Sequence, residues 1–185
     1  QAAAMAMGRA MDDVIIAAAT GTAYTGETGA TSESVQTAIA ASVGTGTGLN
    51  LVKLTTAKRL LDDADVDPSI PRHIIVGPEQ LQNLLAVEQV TSSDYNTVKA
   101  LVQGEIDSYL GFKFTVSNRL AKSGNDRTCI VYAEDGITLG IGKDISARID
   151  ERADKSYATQ VYYCQSIGAT RMESAKVVPI TCTEV

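Results

Sequence analysis

His73 is the one histidine of the chain, and by type it is the residue best suited to act as a general base or a metal ligand. It lies in the apolar run 72–76, which predicts a short buried strand. Catalytic triads and zinc sites need further histidine, cysteine or carboxylate partners at ordered spacings, and none accompanies this residue in the sequence. The sequence therefore favours a structural role for His73.

Two glycine-containing segments invite comparison with phosphate-binding loops. Gly44-Thr45-Gly46-Thr47-Gly48 precedes a predicted helix, but Leu49-Asn50 stands where a Walker loop requires lysine and then serine or threonine. Gly142-Lys143-Asp144 fails the same test, because Ile137 and not glycine lies five residues before Gly142. We therefore expect a flexible connector at 44–48 and no phosphate site at either segment.

The acidic run 62–67 carries four aspartates and resembles a calcium-binding loop at first sight. Counted from Asp63, the sixth position is Pro68 where glycine is required, and the twelfth is Ile74 where a bidentate glutamate belongs. The run is better explained as a solvated helix end. The sequence predicts no cofactor, no metal site and no enzymatic activity.

Composition limits the remaining possibilities. The net charge of −6 argues against tight non-specific binding to DNA, which needs clustered lysine and arginine. Cys129, Cys164 and Cys182 are odd in number and widely spaced, so reduced thiols are expected and a disulfide framework is not. No apolar run approaches the length of a transmembrane helix, and charged residues interrupt the N-terminal apolar stretch, as they would not in a signal peptide.

The elements that would position these residues begin with helices. Apolar residues at three- and four-residue spacing predict a helix over 1–20, and Gly21 follows as a stop signal. A second helix is predicted over Leu51–Asp63 with Asn50 as its N-cap. A third follows Pro78 and covers 79–87, and a short fourth covers 95–102. The segment 35–43 suits a short helix or a strand about equally.

Strands dominate the later part of the chain. Phe112, Phe114 and Val116 alternate with polar residues, Cys129, Val131 and Ala133 begin another strand, and 121–126 reads as a turn between them. From residue 140 to 178 two long strand-like runs flank a charged turn at 150–155. The order of helices and strands indicates an α+β fold and not regular βαβ alternation.

Several of these segments, taken in order, resemble the tailed-bacteriophage major capsid protein family. The similarity extends over nearly the whole chain, and the order and spacing of the segments carry it. The segments are Leu54 to Asp62, Arg72 to Leu81, Thr91 to Ile106, Tyr109 to Phe112 and the long hairpin at 145–178.

The resemblance implies a discontinuous peripheral domain and an inserted axial domain. The first peripheral part would be 1–66, with a long spine helix at 1–20. The axial domain would be 67–133, at the centre of each hexamer or pentamer. The second peripheral part would be 134–185, with the long β-hairpin.

By the same resemblance, the hairpin tip would meet other subunits. Its expected interface residues are Asp150, Glu151, Arg152, Asp154 and Lys155. The implied partners are copies of the chain in hexamers and pentamers, scaffold and portal proteins, and double-stranded DNA enclosed without sequence-specific binding. No membrane is involved; the protein would lie in the virion capsid after assembly in the host cytoplasm.

Family members also carry an N-terminal arm and an extended loop before the spine helix. Neither is found in this sequence, which begins without methionine inside a helical pattern, so we expect an upstream segment that was cut off or lies outside it. Two alternatives stay open. One is a cellular encapsulating shell protein of the same fold, and the other is a small α+β hydrolase or ligand-binding domain that uses carboxylates with His73.

Overall fold

The computed structural model describes residues 2–44, 46–86 and 108–184, and the architecture over these residues is mixed helix and sheet. The helices are α1 (Ala2–Thr20), α2 (Leu51–Asp63) and α3 (Pro78–Leu85). The strands are β1 (Ala23–Thr25), β2 (Thr31–Glu33), β3 (Arg72–Val76), β4 (Ser108–Tyr109), β5 (Phe112–Val116), β6 (Lys122–Ser123), β7 (Asp126–Ala133), β8 (Ile137–Arg152), β9 (Ala158–Arg171) and β10 (Val177–Thr183).

The described helices begin where their local signals predict, and α3 ends at Leu85, two residues before the predicted end. The Asn50 side chain caps α2 by accepting a hydrogen bond from the Lys53 backbone N–H at 2.9 Å. Pro78 occupies the first turn of α3, where its missing N–H costs nothing. Gly21 closes α1 by donating its N–H to the Ala17 carbonyl at 2.8 Å. The helix predicted over 95–102 lies outside the described residues.

A six-stranded sheet forms the body of the molecule. Its strand order is β10-β7-β3-β5-β4, with β6 paired to β7. Strands β3 and β5 are parallel, whereas β7 runs antiparallel to both β3 and β10. Because the central strands are covered by helices and loops, their side chains are buried with little alternation, as in β7, which buries Cys129, Ile130 and Val131 together.

The core lies between this sheet and the helices. Leu54, Ala57 and Leu61 line the buried face of α2 at helical spacing, and Phe112 of β5 is fully buried. Phe114, two residues along on the same strand, is half-buried. The remaining fully buried apolar side chains among the described residues are Ala19, Leu49, Ile74, Val76, Leu84, Cys129, Ile130, Val131, Ala133, Val177, Val178, Ile180 and Cys182.

A cluster of charged side chains holds the segment after β10 against the sheet. The Glu184 carboxylate accepts hydrogen bonds from Arg127 Nε and Lys122 Nζ, and from Gln80 Nε2 at 3.3 Å. These donors lower the pKa of Glu184 from 4.5 to about 2, with Arg127 the largest cause. The Glu184 N–H also donates to the Asn125 carbonyl at 2.7 Å.

The structure contains a long hairpin, but its limits differ from those predicted from the sequence. The paired strands are β8 and β9, which span 137–171, and residues 177–183 form β10 in the six-stranded sheet. The charged segment 150–155 is not all turn, because β8 continues through Arg152 and the connection is 153–157. Three residues of the predicted tip therefore lie in a strand.

Two connecting segments also differ from expectation. The turn predicted over 121–126 contains the two-residue strand β6, which pairs with the start of β7. The ambiguous segment 35–43 is neither a helix nor a full strand, and its one ladder contact is a parallel bridge between Ile39 and Ile180. Between α1 and this segment, β1 and β2 pair as a small antiparallel hairpin.

Candidate assembly interface

The base of the hairpin is fixed by one buried arginine. Arg171 ends β9 and is 4% exposed. Its Nη1 donates to the carbonyls of Ala19 at 3.1 Å and Gly21 at 2.7 Å, and its Nη2 donates to the Glu33 carbonyl at 2.8 Å. Positive charge at a helix C-terminus is favourable, and the Ala19 carbonyl in the last turn of α1 would otherwise lack a helical partner. The contacts join the hairpin to the end of α1 and to β2.

Burial sets the ionisation behaviour of this arginine. Removal from water lowers the pKa of Arg171, while the nearby Glu33 carboxylate acts in the opposite direction. Nothing local in the sequence signals this role, because the carbonyls come from segments about 140–150 residues away. Sequence reasoning therefore missed the residue that positions the hairpin.

The hairpin is considerably longer than the helix on which it packs. Nineteen helical residues span about 28 Å, whereas sixteen strand residues in β8 span about 50 Å. Residues of α1 contact β9 and, less extensively, β8. The hairpin exceeds α1 by about 20 Å, and every residue from 147 to 159 is exposed, so the described part of the chain leaves the outer hairpin uncovered.

An apolar row lies on this outer part. Ile149 of β8 faces Val161 of β9 directly across the ladder, and Tyr163 follows two residues along on the same face. Ile149 is 70% exposed and Val161 is 54% exposed. We call Ile149, Val161 and Tyr163 the apolar row. Contiguous exposed apolar side chains of this kind mark interaction surfaces more often than isolated ones do.

The charged residues expected at the tip are all exposed, but two of them are already paired. Arg152 Nε donates to Asp154 Oδ1 at 2.8 Å within the turn. Arg152 and Asp154 thus pair with each other within the chain, and their contact with a neighbouring subunit stays a prediction. Among the described residues no ion pair involves Asp150, Glu151 or Lys155, so these three keep charges for other partners.

The turn that carries the tip is strained. Ser156 and Tyr157 are consecutive non-glycine residues with φ of 52° and 57°, in the left-handed region that disfavours ordinary side chains. Each such residue costs on the order of 1 kcal/mol. Tyr157 is 72% exposed at the end of the hairpin.

The histidine and aspartates considered as candidate catalytic or metal-binding residues contact other side chains of the chain. The His73 ring stacks on Tyr132 across the β3–β7 ladder, with ring centroids 5.4 Å apart. Asp62 pairs with Arg72 at 2.6 Å, and Asp63 pairs with Arg59 at 2.8 Å. Over the part of the chain that the structure describes, no three histidine, cysteine or acidic side chains cluster as a metal site would require.

The glycine-rich segment before α2 directs backbone carbonyls, and not N–H groups, at the side chain of Lys53. Lys53 is fully buried, and its Nζ donates to the carbonyls of Thr47 at 2.9 Å and Gly48 at 2.7 Å. Phosphate cradles need the opposite polarity, with N–H groups directed at the anion. Burial lowers the pKa of Lys53, and the charge of Cys182 opposes this shift. The second glycine segment, 142–144, lies within β8.

Comparison with known proteins gives the family. The family model described as phage capsid protein matches residues 1–184. No curated protein sequence matches the chain. Within the described ranges, no helix is long and apolar enough to cross a membrane.

Solved phage structures share the fold at low sequence identity. A chain from Mycobacterium phage Che8 is 20% identical with a TM-score of 0.66, and the match covers 97% of this chain and 61% of that one. The capsid of the cyanophage P-SCSP1u is 15% identical with a TM-score of 0.65, covering 100% and 66%. The cyanophage Pam1 capsid is 13% identical with a TM-score of 0.66, covering 96% and 66%.

The chain thus spans between 61% and 66% of the length of these relatives. The structural matches establish the tailed-phage capsid fold. The family model extends over every described element, from α1 to the segment after β10. On these grounds the chain belongs to the phage capsid protein family.

Proposed function

We propose that this chain is a structural subunit of a phage or prophage capsid. Copies would assemble into hexamers and pentamers and close an icosahedral shell around double-stranded DNA. The observation that carries the proposal is the family match over residues 1–184, together with a fold shared with phage capsid chains. The family implies a structural and not an enzymatic role.

Within the subunit, the sheet pairings support a modified domain division. The resemblance assigned 67–133 to the axial part, with 1–66 and 134–185 as peripheral parts. Strand β10 pairs with β7 over seven residues, and α2 contributes Lys53, which donates to the Thr181 carbonyl at 3.2 Å. We therefore assign β10 and α2 to the axial part. The peripheral part keeps α1 and the β8–β9 hairpin.

The outer hairpin is the interface that we assign to contacts between subunits. Its apolar row supplies non-directional attraction when water is excluded, and Asp150, Glu151 and Lys155 supply charges for orientation. Each exposed ion pair contributes less than about 1 kcal/mol. Symmetry repeats the same contact throughout a closed shell, so individually weak contacts are sufficient.

The further partners follow from the same role. Scaffold and portal proteins would guide assembly in the host cytoplasm, and the finished subunit would lie in the virion capsid. A net charge of −6 suits a wall that encloses DNA without binding it tightly, because a strongly basic lining would retain the entering duplex.

A single substitution in the apolar row tests the interface. Ile149→Asp, made in the full-length gene product, adds a charge at a position that is 70% exposed, so the subunit should fold normally. Negative-stain electron microscopy and sedimentation velocity should show rings or shells for the wild type and unassembled subunits for the variant. Ser166→Asp is the matched control, since this exposed residue lies on β9 but on the opposite face.

The possible results of this experiment distinguish the interface assignment from the capsid role. Normal shells from Ile149→Asp would remove the apolar row from the interface while leaving the capsid role intact. Loss of assembly in Ser166→Asp as well would show that any added charge on the hairpin is harmful. A wild-type subunit that stays monomeric even with scaffold and portal proteins would contradict the shell function itself. Nuclease-protected DNA inside the particles would identify a genome shell, and protein cargo in its place would identify a cellular compartment.

A further inference from the structure

The hairpin carries a thiol on the face that does not pack on α1. On β9, residues 165, 167, 169 and 171 are the more buried series, whereas 166, 168 and 170 are exposed. Cys164 belongs to the second series because successive strand residues point to opposite faces. It is partly exposed, unlike Cys129 and Cys182, which are buried in the sheet.

Two polar side chains of β8 converge on this thiol. Ser146 lies directly opposite Cys164, and its Oγ is 2.9 Å from the Cys164 sulfur. Lys143 pairs with Ser166, the next residue of the same face, so its side chain lies diagonally beside Cys164. The register shifts between Ile141 and Lys143 and again between Lys143 and Ser146, and these two shifts place both polar side chains on this face.

This arrangement favours the thiolate form. Hydrogen bonding from Ser146 is the largest cause that lowers the pKa of Cys164, followed by Lys143. The presence of the thiol in turn raises the pKa of Lys143. Cys129 differs in both respects, because it is buried and its hydrogen bond to Cys182 raises its pKa. Cys182 has a lowered pKa but no exposed surface.

We propose that the Lys143–Ser146–Cys164 cluster is a covalent modification site, at which Cys164 undergoes thiol–disulfide exchange with small soluble disulfides. The Cys164 thiolate attacks one sulfur of the disulfide, a new S–S bond forms at Cys164, and the other half leaves as a thiolate. No further oxidant is required. The adduct would stand on the face of the hairpin away from α1, so the packing of the subunit would not change.

The test measures the reaction of unassembled subunits with dithiodipyridine, a neutral disulfide whose released thione is followed by absorbance. A neutral probe separates thiolate reactivity from simple attraction of an anion by Lys143. We expect one of the three cysteines to react much faster than the others, and Cys164→Ser to abolish that fast phase. Peptide mass mapping of the wild-type product should place the adduct on Cys164.

Lys143→Gln should slow the fast phase about two- to fivefold, because a neighbouring cation raises the thiolate fraction. Lys155→Gln, at the far end of the hairpin, is the matched control and should react like the wild type. Raising the salt concentration should reduce the difference between wild type and Lys143→Gln, since exposed charges are screened. A fast phase that persists in Cys164→Ser, or a Lys143→Gln protein that reacts as fast as wild type, would overturn the proposal.

Discussion

Replacing Arg171 by alanine should destabilise the subunit more than any other single change at the hairpin. Three backbone carbonyls, from Ala19, Gly21 and Glu33, accept hydrogen bonds from its guanidinium. Each bond from a charged donor contributes about 1.5 kcal/mol or more, and the guanidinium itself loses hydration when buried. The net loss should be about 3–5 kcal/mol, since the carbonyls would remain without partners.

Urea unfolding followed by circular dichroism measures this loss as a lower transition midpoint. Arg148→Ala provides the control, because Arg148 lies on the exposed hairpin and its removal should change the free energy of unfolding by less than about 0.5 kcal/mol. Arg171→Lys should recover only part of the stability, since one ammonium group cannot reproduce the planar set of N–H donors of the guanidinium. Equal midpoints for Arg171→Ala and Arg148→Ala would refute the anchoring role.

Three further predictions concern the ion cluster, the core and the tip. The pKa of Glu184 is about 2 in the folded chain against an ordinary 4.5. The ionised carboxylate therefore stabilises the folded chain fully above about pH 4.5, and this stabilisation is lost as the pH falls towards 2. Urea unfolding midpoints measured against pH should show the loss in the wild type and not in Glu184→Gln. Phe112→Ala should lower the free energy of unfolding by about 3–5 kcal/mol, and Phe114→Ala by clearly less, because only the Phe112 ring is fully buried. Equal losses of stability in thermal unfolding would contradict the burial of Phe112 in the core. Arg152→Glu breaks an exposed pair with Asp154 and should leave thermal stability within about 1 kcal/mol while impairing assembly in sedimentation velocity; shells at normal yield would remove the tip from the interface.

The elements that the sequence predicted well are those whose signals are local. Asn50 and Pro78 mark helix starts by chemistry that acts within one turn, and α2 and α3 begin at those signals. The alternation of Phe112 and Phe114 with polar neighbours likewise identified β5 within its observed bounds. Short-range chemistry was sufficient for these features.

The features that escaped prediction depend on partners distant in the sequence. Residues 177–183 have the same strand-like character as the hairpin, and only the position of β7 decides that they join the sheet. Arg171 looks like any exposed strand arginine until α1 and β2 bring their carbonyls to it. The apolar row was missed for a related reason, because Ile149 and Val161 read as ordinary strand residues unless their exposure is known.

The order of strands in the sheet also has a consequence for how the chain folds during synthesis. The β8–β9 hairpin joins residues close in sequence and can form as soon as residue 171 is available. The edge of β7 that pairs with β10 stays unpaired until residues 177–183 have emerged from the ribosome. Non-local pairing of this kind is slow, and an unpaired strand edge can associate with other chains. Between the emergence of β9 and that of β10, newly made subunits therefore expose an edge of β7 that needs protection from association with other chains.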